Sequence, residues 1–110
     1  MKIAVFGVGG VGGYFGGKIA VKYAGSSEHQ VVFIARGAHL AAIRKGGLLL
    51  KTVEGEFRVT PDLATDDPAA AGPCDLVLVC VKEYALEEAA ARLAPLLHEK
   101  TIVLPLLNGV

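Results

Sequence analysis

Along the chain, short wholly apolar runs alternate with segments whose apolar residues recur every three or four positions. KIAVFG (2–7) is an apolar run ended by glycine, with the length of a strand buried on both faces in a parallel sheet. From Gly10 to about Ala24 the period becomes helical. Val11, Phe15, Ile19 and Tyr23 fall four apart on one stripe, and Gly25, Ser26 and Ser27 stop the helix. QVVFIAR (30–36), rich in β-branched and aromatic residues, predicts a second buried strand. After Gly37, AHLAAIRKGG predicts a short helix closed by Gly46 and Gly47. LLLKTVEGEFRVT (48–60) alternates around Glu54-Gly55 and predicts two short strands joined by a turn. DLATDDPAAAGPC (62–74) is a polar, proline-bearing connection with room for one helical turn. DLVLVCVK (75–82) is the clearest buried strand. EYALEEAAARLAPLL (83–97) is helical, with Leu86, Ala89, Ala90, Leu93 and Leu97 on its inner face. TIVLPLL (101–107) predicts a last strand, weakened near its end by Pro105.

Strands that are nearly all apolar and alternate with helices predict an α/β domain whose parallel sheet is covered on both sides. Right-handed crossovers then make it a Rossmann-type, doubly wound, mainly parallel sheet, with the 48–60 pair its least regular part. The 110 residues allow one domain, and 53% apolar content is enough for its core. Eleven Lys and Arg balance eleven Asp and Glu, so no global field recruits nucleic acid or an anionic membrane. No stretch approaches about 18 uninterrupted apolar residues, and glycine breaks the first 25 residues too often for a signal-peptide core. A cytoplasmic, reducing setting is therefore expected. Cys74 and Cys80 suggest no disulfide framework there, and Cys80, inside DLVLVCVK, is expected to act as a small buried hydrophobe. His29, His39 and His98 lack ligand spacing, so no metal site is expected.

Seven of the eleven residues from 7 to 17 are glycine. Gly7-Val8-Gly9-Gly10-Val11-Gly12 fits G-x-G-x-x-G and lies between a predicted strand and a predicted helix, the context this dinucleotide-binding motif needs. Gly7 would make the tight turn, Gly9 would let a pyrophosphate touch the backbone, and Gly12 would let the helix lie close to the strand. Free N–H groups at the helix start, with the helix dipole, would meet the anionic ligand. Further along, Gly9, Gly13 and Gly17, and likewise Gly12 and Gly16, are four apart and form bare stripes on the helix. Each interior glycine costs roughly 1 kcal/mol against alanine, so a packing or a binding reason is expected; the sequence does not choose between them.

The end of the second strand bears on which nucleotide binds. NAD and FAD domains usually place Asp or Glu there to hold the ribose hydroxyls. Here the residue is Arg36, and no acid follows until Glu54. A guanidinium suits a 2′-phosphate, which it can grip bidentately, and Arg44 and Lys45 could add charge. The expected cofactor is NADP(H), the alternative being that Arg36 is a solvated arginine at a strand end. Lys82 and Asn108 end two other apolar strands on the side where such sheets bind ligands. Each also has an ordinary alternative, a lysine solvating a strand end and an Asn-Gly turn.

GVGGVGGYFGGKIA, IARGAHLAAIRKGGL, DLVLVCVKEYALEEA and TIVLPLLNGV, in this order, resemble the N-terminal half of the ketopantoate reductase (2-dehydropantoate 2-reductase) family. The resemblance covers essentially the whole chain, and its ARG-x-HL element is more specific than the glycine loop. It implies that Gly7, Val8, Gly9, Gly10, Val11, Gly12 and Arg36 bind NADPH. It also implies that Lys82 and Asn108 line the nicotinamide crevice, with Asn108 facing the substrate. The implied activity is NADPH-dependent reduction of ketopantoate, a small 2-keto acid, to pantoate on the way to pantothenate and coenzyme A. A homodimer of the full-length protein is left open.

Two positions depart from the family's pattern: Leu107, where glutamine is common, and Ala85, where some members carry a polar residue. Both leave room for another 2-keto acid or a paralogue of different activity. The family continues past the position of Val110 with the rest of its nucleotide domain and a helical domain that supplies a general-acid lysine. Residues 1–110 are accordingly expected to form an incomplete NADP-binding domain that binds NADPH weakly and does not turn over. The competing readings are another NADP-dependent reductase with a similar two-domain plan and a non-catalytic NADP-binding module.

Overall fold

In the computed structural model the described residues are 1–8, 11–80 and 86–105, with the side chains of 11–13, 52, 86 and 89 excepted. In chain order the elements are β1 (Lys2–Phe6), α1 (Val11–Lys22), β2 (Gln30–Ile34), α2 (Gly37–Gly46), β3 (Leu48–Thr52), β4 (Gly55–Val59), β5 (Leu63–Thr65), α3 (Pro68–Ala71), β6 (Leu76–Val79), α4 (Leu86–Leu93) and β7 (Ile102–Pro105). A 3-10 turn, Ala94–Leu96, extends α4. No described helix is long and apolar enough to cross a membrane.

Five strands form one parallel sheet in the order β5-β2-β1-β6-β7. This is the doubly wound order expected of a Rossmann-type domain, with its topological switch point between β1 and β6. β3 and β4 form a separate antiparallel hairpin, from Leu48 opposite Val59 to Thr52 opposite Gly55.

Because side chains alternate across a strand, the sheet feeds two cores. Ala4, Phe6, Val32, Ile34, Val77 and Val79 meet Ala71, Leu93 and Leu96 on one face. Val5, Val31, Phe33 and Leu78 meet Ala20, Leu40, Ile43, Leu50 and Val59 on the other.

Several elements differ from the sequence pattern in instructive ways. Segment 62–74 contains the short edge strand β5 as well as the expected helical turn, α3. Asp67 caps α3 by accepting from the Ala69 N–H at 3.0 Å. On α1 the expected stripe is displaced: Phe15 is 45% exposed, whereas Gly16, Gly17 and Ala20 are buried and Ile19 and Tyr23 partly so. A Cβ on Gly16 would stand 3.2 Å from both Val5 methyls and 3.3 Å from Phe33 Cε1. The bare side of the helix is therefore its packing side at this turn.

α4 ends at Leu93, earlier than the pattern suggests. Pro95 lacks an N–H to continue the α-helical ladder, and the last turn tightens to 3-10. The tightening rotates Leu96 into the core and leaves Leu97 41% exposed. Ala90, expected on the inner face, is exposed.

At the amino ends of the strands a polar clamp ties β1, β6 and β7 together. Asp75 accepts the Lys2 backbone N–H at 2.7 Å, and its other oxygen lies 3.0 Å from His98 Nε2. The Lys100 N–H donates to His98 Nδ1 at 3.0 Å, which leaves the Nε2 proton to point at Asp75. Thr101 Oγ1 donates to the Cys74 carbonyl at 2.6 Å and accepts the His98 N–H at 2.8 Å.

Candidate nucleotide-binding site

Ligands of doubly wound sheets bind beyond the carboxyl ends of the strands, at the switch point. β1 ends at Phe6, and its neighbours close around the next residue. The Phe6 carbonyl accepts the Cys80 N–H at 2.8 Å from the β6 side, and Gly7 donates its N–H to the Ile34 carbonyl at 3.0 Å on the β2 side. Gly7 turns the chain with φ of 93°, a conformation an L side chain rarely adopts. Val8 then anchors the turn by burying its side chain in the core beneath α1.

α1 begins at Val11 with no acid in its first turn, so nothing there offsets the positive end of its dipole. Gly12 lies within its first turn. Gly9 and Gly10 lie outside the described residues, as do Lys82, Asn108, Ala85 and Leu107.

The strand pattern places Arg36 at the end of β2, but β2 stops at Ile34. Arg36 is instead the N-cap of α2, in extended conformation (φ −134°, ψ 160°), with no side chain capping the helix and no acid in its first turn. The guanidinium and the amino end of α2 thus stand together beside the crevice, and the Arg36 side chain is 65% exposed. Arg44 is partly committed elsewhere: its Nε donates to the Ala64 carbonyl at 3.0 Å and ties α2 to β5.

The structure adds one charged group that the sequence reading missed. Glu88, in the first turn of α4, brings Oε1 to 3.4 Å from an Nη of Arg36. Its position is fixed from one turn further on, where Arg92 donates to the Asp66 carbonyl and lies 5.6 Å from the centre of the Phe6 ring. Residues four apart share a helix face, so the anchor at Arg92 turns Glu88 toward Arg36. The sequence shows the Glu88/Arg92 spacing but not a partner 52 positions away.

Cys80 directly follows β6 at its carboxyl end. It is partly buried against the core, and burial pushes its thiol up to about 11, so it is a neutral thiol at physiological pH. Two surface pockets, lined among others by Lys18, Leu50, Phe57, Tyr14 and Val53, lie where α1 meets the β3–β4 hairpin. Neither includes a strand-end residue, so neither belongs to this crevice. Among the described residues no cluster of His, Cys, Asp or Glu could hold a metal ion.

From residue 3 to residue 110 the chain matches the family described as Ketopantoate reductase PanE/ApbA. The chain belongs to the ketopantoate reductase family. A 2-dehydropantoate 2-reductase of Mesorhizobium japonicum is 40% identical over 110 residues, which are 100% of this chain and 32% of that protein. The crystal structure of 2-dehydropantoate 2-reductase from Porphyromonas gingivalis W83 superposes with a TM-score of 0.91 at 47% identity, covering 99% of this chain and 39% of that one.

The ternary structure of D-mandelate dehydrogenase with NADH and anilino(oxo)acetate superposes with a TM-score of 0.80 at 26% identity, covering 100% of this chain and 34% of that one. The chain therefore spans about a third of the length of the ketopantoate reductase relatives it matches. The family is one of pyridine-nucleotide-dependent oxidoreductases.

Proposed function

We propose that residues 1–110 are the cofactor-binding part of an NADPH-dependent reductase that converts ketopantoate to pantoate. The nucleotide half of this reading rests chiefly on Arg36, a cation at the start of α2 where NAD domains carry an acid. The crevice fits a dinucleotide in three further respects. Gly7 makes the turn in a conformation that suits glycine. Gly16 lets α1 lie against the sheet at a distance a side chain would prevent. The helices that follow β1 and β2, α1 and α2, start without an acidic residue.

In this reading the backbone of Gly7, Val8, Gly9, Gly10, Val11 and Gly12 holds the pyrophosphate at the start of α1. Arg36 pairs with the 2′-phosphate. Lys82 and Asn108, which follow β6 and β7 in the sequence, line the nicotinamide and substrate side. Bound there, the reduced nicotinamide supplies hydride to the ketone carbon. The general acid that protonates the alkoxide is expected from a lysine beyond Val110, as in the family's helical domain.

Fluorescence titration of the full-length protein with NADPH and NADH tests the nucleotide. NADPH should bind more tightly, and Arg36→Ala should weaken NADPH by about ten- to a hundredfold while changing NADH little, the value of a charge-assisted phosphate contact. Equal affinities in the unaltered protein would overturn the assignment. NADPH oxidation against a panel of 2-keto acids then tests the substrate, with ketopantoate expected to give the highest kcat/KM. A different 2-keto acid is the second reading, favoured by Leu107 and Ala85 and by the structural likeness to a dehydrogenase of another 2-hydroxy acid.

A further inference from the structure

We propose that Glu88 is a specificity-determining residue: as the counter-charge to Arg36 it limits how strongly the site prefers NADPH over NADH. The inference rests on the reading of Arg36 as the 2′-phosphate ligand. Its observation is the Arg36–Glu88 pair at 3.4 Å, which joins the start of α2 to the start of α4 across the adenosine side of the crevice. Glu88 and Arg92, four residues apart, share one face of α4. Arg92 fixes the helix on the Asp66 carbonyl and the Phe6 ring, and Glu88, four residues earlier, is thereby presented to Arg36.

The contact engages a single Nη of the guanidinium, whose planar fork carries five donors. A 2′-phosphate can therefore take the remaining donors while the carboxylate stays close by. Two consequences follow from charge. The carboxylate neutralises part of the field that draws the phosphate and repels the phosphate itself. For NADH there is no such repulsion, and a carboxylate brought beside Arg36 from α4 can accept a ribose hydroxyl, as the acid at the end of the second strand does in NAD domains. Glu88 thus weakens NADPH and leaves NADH unharmed or favoured, so the NADPH preference is smaller than Arg36 alone would give.

The test uses the full-length protein, with dissociation constants for both nucleotides measured by fluorescence in the unaltered protein, Glu88→Gln, Arg36→Ala and the double variant. Both side chains are about two-thirds exposed, so the substitutions are compatible with the fold. Glu88→Gln should raise the NADPH-over-NADH preference by about three- to tenfold, the effect of one carboxylate near a phosphate in a screened, water-like medium. In the Arg36→Ala background the same substitution should change the preference less, because the pair no longer exists. An unchanged or lowered preference in Glu88→Gln overturns the inference. If Arg36→Ala still abolishes the preference, the reading of Arg36 survives that failure. If Arg36→Ala weakens both nucleotides alike, both ideas fall together.

Discussion

Gly16 and Gly17 are sequence neighbours with different surroundings. A Cβ on Gly16 would press on Val5 and Phe33, both wholly buried side chains of the sheet. A Cβ on Gly17 would meet the methyl ends of Leu50, 3.3 Å away on the hairpin. The helix-propensity gain of roughly 1 kcal/mol from Gly to Ala is available at both positions, but only the leucine ends can yield easily. In urea unfolding of the full-length protein, Gly17→Ala should match or exceed the unaltered stability by up to about 1 kcal/mol. Gly16→Val should lose about 1–3 kcal/mol through overpacking. Equal effects at the two sites would contradict this account. The glycine spacing alone left packing and binding both open; the neighbours of Gly16 decide for packing at that turn. At Cys80 the thiol, pushed up to about 11 by burial, should alkylate with a midpoint near pH 11. Near pH 8 it should react about a hundredfold more slowly than an ordinary thiol, read by mass spectrometry of its peptide.

Among the elements, those held by their own side chains were legible and those held by neighbours were not. DLVLVCVK and QVVFIAR announce strands because nearly every residue is apolar, and β6 and β2 lie inside those spans. β5 is only Leu-Ala-Thr, and it pairs because Ala35 donates to the Thr65 carbonyl and Asp62 accepts the Val31 N–H through its side chain. No local pattern encodes such bonds. The ion pair of Arg36 with Glu88 was hidden in the same way. The His98–Asp75 clamp is also a tertiary arrangement, and it makes a test at this scale. The hydrogen bond from the Lys2 N–H, aided by His98, holds the Asp75 carboxyl below its ordinary value. A carboxylate so lowered contributes stability that is fully present above its unfolded pKa and lost as pH falls through the folded one. Unfolding midpoints should therefore drop on acidification below about pH 4. Asp75→Asn should be less stable at neutral pH and should show a shallower acid dependence. An unchanged acid slope in Asp75→Asn would show that other carboxylates carry it.

Across residues 1–110 as a whole, eleven acidic and eleven basic residues cancel, so on the proposed reading these residues discriminate between nucleotides through local contacts. NADPH and NADH share the pyrophosphate, the adenine and the nicotinamide and differ by the 2′-phosphate. Contributions common to both, including the field of any further part of the protein, largely drop out of the ratio of their dissociation constants. On the proposed reading, what remains is the 2′-phosphate against Arg36, with the amino end of α2 in favour and Glu88 opposed. Both of these side chains are exposed, so their interactions are open to screening by salt. Raising NaCl from about 0.05 to 0.5 M should cut the NADPH preference by about three- to tenfold, as the Debye length falls from beyond 10 Å to a few ångströms. Arg36→Ala should flatten that dependence, and Glu88→Gln should steepen it by leaving the guanidinium unopposed. If NADPH and NADH weaken in parallel with salt, the preference is not electrostatic. Arg36 would then be an arginine solvating the start of α2 and not the group that reads the 2′-phosphate.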